Sequence, residues 1–502
     1  MELLSRSLNS APRVGFCSCR SIHFQPDRGR LANMSLPKPS TALLFVGCGS
    51  VLMGGSYLLQ EYVGVKAPEP YMDEIFHIRQ TQHYCRGEYT VWDQKITTPP
   101  GLYATSVALI RLFGLPCTAS VLRMHNLAFL AGTFAVLVAV HRTLHPHEGS
   151  IKTSILNAFT LSLLPISWFF HMLYYTDPGS TFLVLLAYLA SLKGMHKSSA
   201  AVGLLALTYR QTNVAWVLFM AGVVGMRVLS ESQRPSRTYS RVTFADLEGW
   251  GGFAAHLMSI ASTAFQRSGT LVLALWPYIT VALLFAAFVQ WNGGIVLGDR
   301  SNHIATIHIP QLYYFASSLM GFSVLSSDVP GAISAALQRF RSFRTGFSFA
   351  AAISALALFM CWTIHKFTVE HPFLLADNRH YSFYVWKNIY RRHQLVRYAA
   401  IMGYLPAMWV LSRKLVSAQP VLLVLLYVVA TAATLVPTPL LDFRYYVLPF
   451  LLFRMHVRSP SAGVLLVEAV AYAAVNLATI WLFGERPFRW ASEPDAWQRF
   501  MW

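Results

Sequence analysis

Charge is scarce in this sequence. Asp, Glu, Lys and Arg make up 12% of its 502 residues, about half the share of a soluble domain. That scarcity excludes an ordinary water-soluble globule. Acid is the rarer sign, 22 residues against 40 basic ones, for a formal net charge of +18. Such an excess can mark a nucleic-acid binder. Here no basic run interleaved with aromatics sits in a soluble segment, so that class is excluded. P-loop, Rossmann glycine, HExxH and GxSxG patterns are all missing, and nothing marks a nucleotide site. No metal-ligand cluster is evident. No internal repeat is visible, which counts against a transporter built from repeats. Cysteine is sparse too. Cys17 and Cys19 lie in the N-terminal tail, and Cys48 and Cys361 sit in apolar segments as small hydrophobes. Cys85 and Cys117 flank one polar region, where an oxidising compartment would permit a disulfide. Their spacing alone cannot establish the geometry.

What the chain has is apolar length. Hydrophobic residues make up 55% of it, in repeated runs of membrane-spanning character. The expected fold is an all-α polytopic membrane protein. The first span is "TALLFVGCGSVLMGGSYLLQ", Thr41 to Gln60. Further spans are expected near 120–141, 153–172, 179–192, 199–209, 213–229, 270–290, 310–327, 346–365, 395–411, 419–436, 445–456 and 461–483, about thirteen in all. "GLYATSVALIRLFG", Gly101 to Gly114, is apolar but short and follows the break "TTPP". It reads as a helix lying along the membrane surface.

Residues 1–40 are Arg-rich and poor in acid, without a secretory apolar core. They resemble a mitochondrial presequence in composition, but read better as a disordered cytosolic tail. The sequon Asn33-Met34-Ser35 would then stay unused. Most basic links fall on one side if the 101–114 segment does not cross, and that side becomes cytosolic. It includes the 230–269 loop, which contains a candidate amphipathic surface helix. The opposite, luminal side collects the loop 61–119, "YYTDPG", "RQTN", "GDRSNH", the loop 366–394 and "LLDFRYY". Lys387, Arg391, Arg392 and Arg397 go against the charge rule there, unless they bind an anion.

The chemistry-bearing residues cluster on that luminal side. In "YMDEIFHIRQTQHYC", Asp73 and Glu74 stand at a helix N-terminus, where the dipole alone favours acid. Asp73, His77, Gln80 and Tyr84 recur at helical spacing as one polar face. An ionisable group beside a membrane cavity is a functional candidate, and Asp73 leads. In "WFFHMLYYTDPGS", Asp177 suits a turn before Pro178, yet Tyr175 and Asp177 also offer a hydroxyl and a carboxylate to a sugar. "HPFLLADNRHYSFYVWKNIYRR" supplies Asp377, Asn378, Arg379, His380, Tyr381 and Lys387. Arg379, His380 and Lys387 suit a phosphate, and Tyr381 suits a sugar face. An interfacial aromatic belt with snorkelling cations would explain much of it. Asp442 and Arg444 stand at a span entrance, where they can pair with each other. Arg210 and Arg300 read as snorkelling anchors.

Together, "YMDEIFHIRQTQHYC…WDQKITTPPGLY", "LYYTD", "RQTN", "HPFLLADNRHYSFYVWK", "FRYYVLP" and "QRFMW" resemble the dolichyl-phosphate-glucose-dependent α-1,2-glucosyltransferases of asparagine-linked glycosylation. The resemblance runs from about residue 41 to 502. It implies a GT-C fold in the endoplasmic reticulum membrane with a luminal active site. It also implies transfer of glucose, with inversion, from dolichyl-phosphate-β-glucose to Glc2Man9GlcNAc2-PP-dolichol. Asp73 takes the base role, with Glu74 as its neighbour. Arg379 and His380, then Lys387 and Arg444, take the leaving phosphate. His77, Tyr175, Asp177, Asp377, Asn378 and Tyr381 are the sugar-facing candidates. The reaction implies no cofactor and no metal, since the glucolipid is itself a substrate. A mannose-transferring relative would share these features. A non-enzymatic transporter is the alternative of another class, and would hold its ionisable groups near the membrane midplane.

Overall fold

A computed structural model of the chain describes residues 39–146, 150–231, 239, 241–300 and 304–502. The expectations for the tail, including its sequon and Cys17 and Cys19, lie outside those residues except at 39–40. The architecture is all-α apart from one antiparallel pair of strands, Phe488–Trp490 and Glu493–Gln498. The thirteen expected segments are largely helical, but length and apolarity support fewer crossings. Among the described residues six helices qualify: Pro39–Lys66, Ala119–Leu144, Gln211–Ser230, Ser268–Asn292, Phe343–Phe367 and Ala462–Glu485. A seventh is counted if Ile151–Ser162 and Pro165–Met172, bent by 62° at their break, form one span. The bend has a cause, because Pro165 cannot donate to the preceding turn. The remaining helices, such as Val421–Leu435 with 15 residues and Val447–His456 with 10, rise about 1.5 Å per residue. They fall short of a hydrocarbon core of about 30 Å.

Gly101–Phe113 forms the expected short helix. Pro99 and Pro100 precede it, and Gly114 ends it in a left-handed turn at φ 62°. Its first residue must be small. A Cβ on Gly101 would lie 2.6 Å from the Thr208 carbonyl oxygen, which already accepts the Gly101 amide at 2.9 Å. That contact fixes the "TTPPGLY" segment to "LTYRQTN". Gly249–Gln266 forms the surface helix of the 230–269 loop and buries none of its residues.

The disulfide left open by spacing is formed: Cys85 is bonded to Cys117. It joins the end of helix Glu74–Cys85 to the approach to helix Ala119–Leu144 and straps the short helix between them. Segments assigned to opposite faces by charge also gather at opposite ends. Asp73, Asp177, Arg210 and Arg444 meet at one end. His141 meets Ser459, and Gln419 meets the His456 carbonyl, at the other.

Two buried ion pairs, neither of them paired by sequence pattern, tie helices together. Arg454 donates to both carboxylate oxygens of Glu468 at 2.7 and 2.8 Å. Arg123 does the same to Glu74 at 2.9 and 2.7 Å. All four side chains are at most 3% exposed, so each charge depends on its partner.

Candidate active site

Asp73 and Glu74 are neighbours in sequence with opposite surroundings. Met72 has φ 57°, a left-handed conformation that costs a non-glycine residue about 1 kcal/mol. This turn starts the helix so that Glu74 points inward and Asp73 keeps an exposed face. Glu74 accepts from Arg123, from the Tyr174 amide at 2.7 Å and from the Tyr71 amide at 3.1 Å. Arg123 in turn donates to the Ala67 and Glu69 carbonyls. Glu74 is therefore a fully satisfied anchor beneath the loop, and no face of it is open to a substrate. The catalytic place given to it as Asp73's neighbour does not fit this geometry.

Asp73 keeps 43% of its side-chain surface. Its carboxylate accepts from Arg444 at 3.0 Å, and its amide donates to the Tyr175 hydroxyl at 3.3 Å. Arg444 also pairs with Asp442 at 2.6 Å and lies 3.9 Å from Asp177. Its guanidinium sits over the Phe170 and Tyr175 rings at 5.3 and 5.4 Å. Arg210 closes the array, bonding Asp177 at 2.9 Å with its guanidinium over the Tyr445 ring. The expectation of Arg210 as a snorkelling anchor is thus corrected: a carboxylate and an aromatic face hold it inside the protein. Arg300 is held too, by the backbone and side-chain oxygens of Asn292.

Electrostatics keep Asp73 ionised. Burial pushes its carboxyl up, but Arg444, His77 and His380 outweigh that and hold it below the ordinary carboxylate range. Asp442 behaves alike: burial raises it, and Arg444 overrides the burial. His77 is pushed down by burial, against the pull of Asp73 and Asp177. Its Nδ1 lies 2.7 Å from the Tyr103 hydroxyl. The polar face expected for this helix is packed inside the protein, with His77, Gln80 and Tyr84 all buried.

The 377–381 segment lies close to the same group, through Arg379 and the Tyr71 ring. Asp377 holds Arg379 by two bonds, at 2.8 and 2.7 Å. Arg379 also covers the Trp490 ring at 4.7 Å and approaches the Tyr71 ring at 6.0 Å. Asn378 accepts from the Trp490 indole at 2.7 Å. His380 lies 4.0 Å from Asp377, and Tyr381 packs edge-on to Trp502. Lys387 is not brought to this group. It is exposed on a wide helical turn, with its ammonium 5.3 Å from the Phe383 ring. Arg391 is likewise occupied, by Glu370 at 3.4 Å.

A groove of about 940 Å³ opens nearby. Leu204, Leu207, Leu284, Phe285, Phe288 and Trp291 form its apolar walls, and Gln211, Asn292, Asp299 and Arg300 are among its polar lining. Asp73 does not line it. The two are linked through Gln211, next to Arg210 in sequence, and through Tyr84, whose ring meets that of Tyr103.

Sequence reasoning placed Asp73, Asp177 and Arg444 on one face but missed their mutual contact. It also missed Arg123 as Glu74's partner. The available signal was a lone Arg inside an otherwise apolar span, which calls for a named counter-ion.

The decisive comparison is with protein families, where residues 67–455 match the model of the DIE2/ALG10 family. The chain belongs to the DIE2/ALG10 family. All of the Asp73–Arg444 cluster falls inside the matched region. A human relative is 38% identical over 449 residues, covering 86% of this chain and 93% of its own. An Arabidopsis thaliana relative is 33% identical, covering 87% and 95%, and a Drosophila melanogaster relative is 33% identical, covering 89% and 97%. All three are named Dol-P-Glc:Glc(2)Man(9)GlcNAc(2)-PP-Dol alpha-1,2-glucosyltransferase. No solved structure matches the chain significantly.

Proposed function

We propose that this member of the DIE2/ALG10 family transfers glucose from dolichyl-phosphate-β-glucose to Glc2Man9GlcNAc2-PP-dolichol, forming an α-1,2 linkage. The observation that carries the reading is the Asp73–Arg444 pair, an accessible carboxylate tied to a guanidinium. The names borne by its relatives supply the substrates. In this reading the site faces the lumen of the endoplasmic reticulum.

Asp73 accepts the proton of the acceptor's 2-hydroxyl as that oxygen attacks C1 of the donor. The C1–O bond to phosphate breaks on the opposite face of the sugar, its electron pair leaves with dolichyl phosphate, and the configuration inverts. One base suffices, because phosphate departs without an obligatory acid. The step balances without a redox or group-carrying cofactor. Arg444 stands closest to the base and is the first candidate for the leaving phosphate, with Arg379 and His380 beside it. Asp177 borders the acceptor side, with the buried Tyr175 and His77 supporting Asp73 from behind, and Asp377, Asn378 and Tyr381 border the donor side. The apolar groove supports a donor that carries an isoprenoid chain.

The test uses microsomes containing the parent chain or Asp73→Asn, with labelled dolichyl-phosphate-glucose and the diglucosylated lipid-linked acceptor. The parent transfers label and the mutant, at equal abundance, does not. Transfer from labelled dolichyl-phosphate-mannose instead, or none by a folded parent, overturns the reading.

A further inference from the structure

The last residues of the chain return to the site from the exposed hairpin Phe488–Gln498. Residues 493–497 are exposed, but Gln498, Arg499 and Met501 are buried. The buried stretch binds three separate parts of the site. Toward the 377–381 segment, the Met501 amide donates to the Arg379 carbonyl at 2.9 Å, and the Tyr381 amide donates to the Met501 carbonyl at 3.1 Å. This is a parallel bridge centred on His380. The Gln498 side-chain oxygen accepts from Arg379 at 2.9 Å. The Trp502 carbonyl lies 2.7 Å from His380 Nδ1. A carbonyl can only accept, so Nδ1 carries the hydrogen, and Nε2 faces Asp377.

Toward the first loop, the Tyr71 hydroxyl accepts the Arg499 amide at 2.7 Å and donates to its carbonyl at 2.8 Å. Tyr71 is two residues before Asp73. The Arg499 guanidinium caps the Phe483 and Gly484 carbonyls and reaches that of Lys66. Toward the third part, the Trp502 ring meets Phe443, the residue before Arg444, edge-on at 6.1 Å.

We propose that residues 498–502 are a positioning element that aims Arg379 and His380 at the phosphate of the lipid-linked donor and holds that pair in register with Asp73. Gln498 acts through its side-chain oxygen on Arg379. Met501 and Trp502 act through their main chains on His380. The assignment to the donor rests on the function proposed above, whereas the docking of the segment does not.

The test is a set of variants of the full-length protein. Gln498→Met keeps length and removes the acceptor for Arg379, and Gln498→Glu restores it when combined with Glu493→Gln, because the Gln498 amide donates to Glu493 at 3.1 Å. Gln498→Met is expected to raise the donor KM about tenfold, with the acceptor KM and melting midpoint unchanged and Gln498→Glu with Glu493→Gln close to parental. In an Arg379→Ala background Gln498→Met should add almost nothing, because the two act as one unit. Deleting residues 501–502 should speed hydrogen exchange at the Tyr381 amide, a readout independent of turnover. A parental donor KM in Gln498→Met overturns the proposal. So does a full additive loss beside Arg379→Ala, or a fall confined to abundance and melting. A parent that transfers no glucose overturns the functional reading instead, and the exchange measurement still decides whether the segment pins residue 381.

Discussion

Asp73 and Arg444 are 371 residues apart in sequence and 3.0 Å apart in space. One stands at the head of the first polar loop, the other at the entrance of a late helix. Their contact orients the accessible carboxylate. Arg444 also holds Asp442, so its planar fork is shared between two acids. An incoming phosphate would draw on a guanidinium already oriented by them.

The two adjacent acids should fail in different ways. Asp73→Asn should lower transfer by about 10²–10⁴-fold, the range for a lost general base, with abundance unchanged. Glu74→Gln strands Arg123 in a buried site and should cost about 3–5 kcal/mol of stability. Activity per folded molecule, set beside the melting midpoint of the purified protein, separates them. Loss of melting midpoint in Asp73→Asn, with Glu74→Gln unchanged, would reverse the assignment.

Arg444→Lys keeps the charge and loses the fork. A lysine ammonium cannot bridge Asp73 and Asp442 in one plane. Transfer should drop by about 10–100-fold while the protein still accumulates. Lys387→Ala, exposed and away from the cluster, should leave the donor KM within about twofold, as for surface substitutions generally. Steady-state kinetics with both substrates varied checks the pair.

Acid should destabilise the site end. Asp73, Asp442 and Asp377 are each raised by burial and lowered further by arginine neighbours, Arg444 for the first two and Arg379 for the third. A depressed folded value means that the unfolded chain binds the proton first. The stabilisation is therefore complete above the unfolded pKa, about 4, and is lost as pH falls through the lower folded values. The melting midpoint should be insensitive to these groups between pH 7 and 5 and fall below about pH 4. Asp442→Asn should soften that fall. A midpoint unaffected by acid would show that these carboxylates are not held as described.

Removing the strap should weaken the first loop without touching the chemistry. Cys85→Ser with Cys117→Ser should cost about 2–4 kcal/mol, as expected for releasing a loop of this size. The bridged residues are 32 apart in sequence. Turnover at low temperature should stay near parental, because neither cysteine reaches Asp73. Thermal inactivation rates of the two forms check this.

Much of the fold was legible because apolar length is a strong signal. The expected segments are largely helical, though 153–172 and 395–411 are each broken, and the short 101–114 segment ends at the glycine that sequence marked. The number of crossings was less legible, since a helix of 10 or 15 residues reads as a span until its length is set against the bilayer. Within the candidate site, residue types singled out loops that the fold brings together at Asp73, Asp177 and Arg444. They could not decide which of two adjacent carboxylates turns inward, because that depends on the left-handed Met72, and nothing local demands it. Nor could they pair Arg210 with Asp177 or Arg123 with Glu74. Such pairings are set by tertiary packing, and a lone cation at a helix end looks the same whether it meets lipid headgroups or a buried acid.

The Cys85–Cys117 bond also bears on how the molecule is made. A thiol pair oxidises only on the oxidising side of a membrane. A chain threaded with the wrong orientation would leave both sulfurs in a reducing milieu, and its first loop would stay unstrapped.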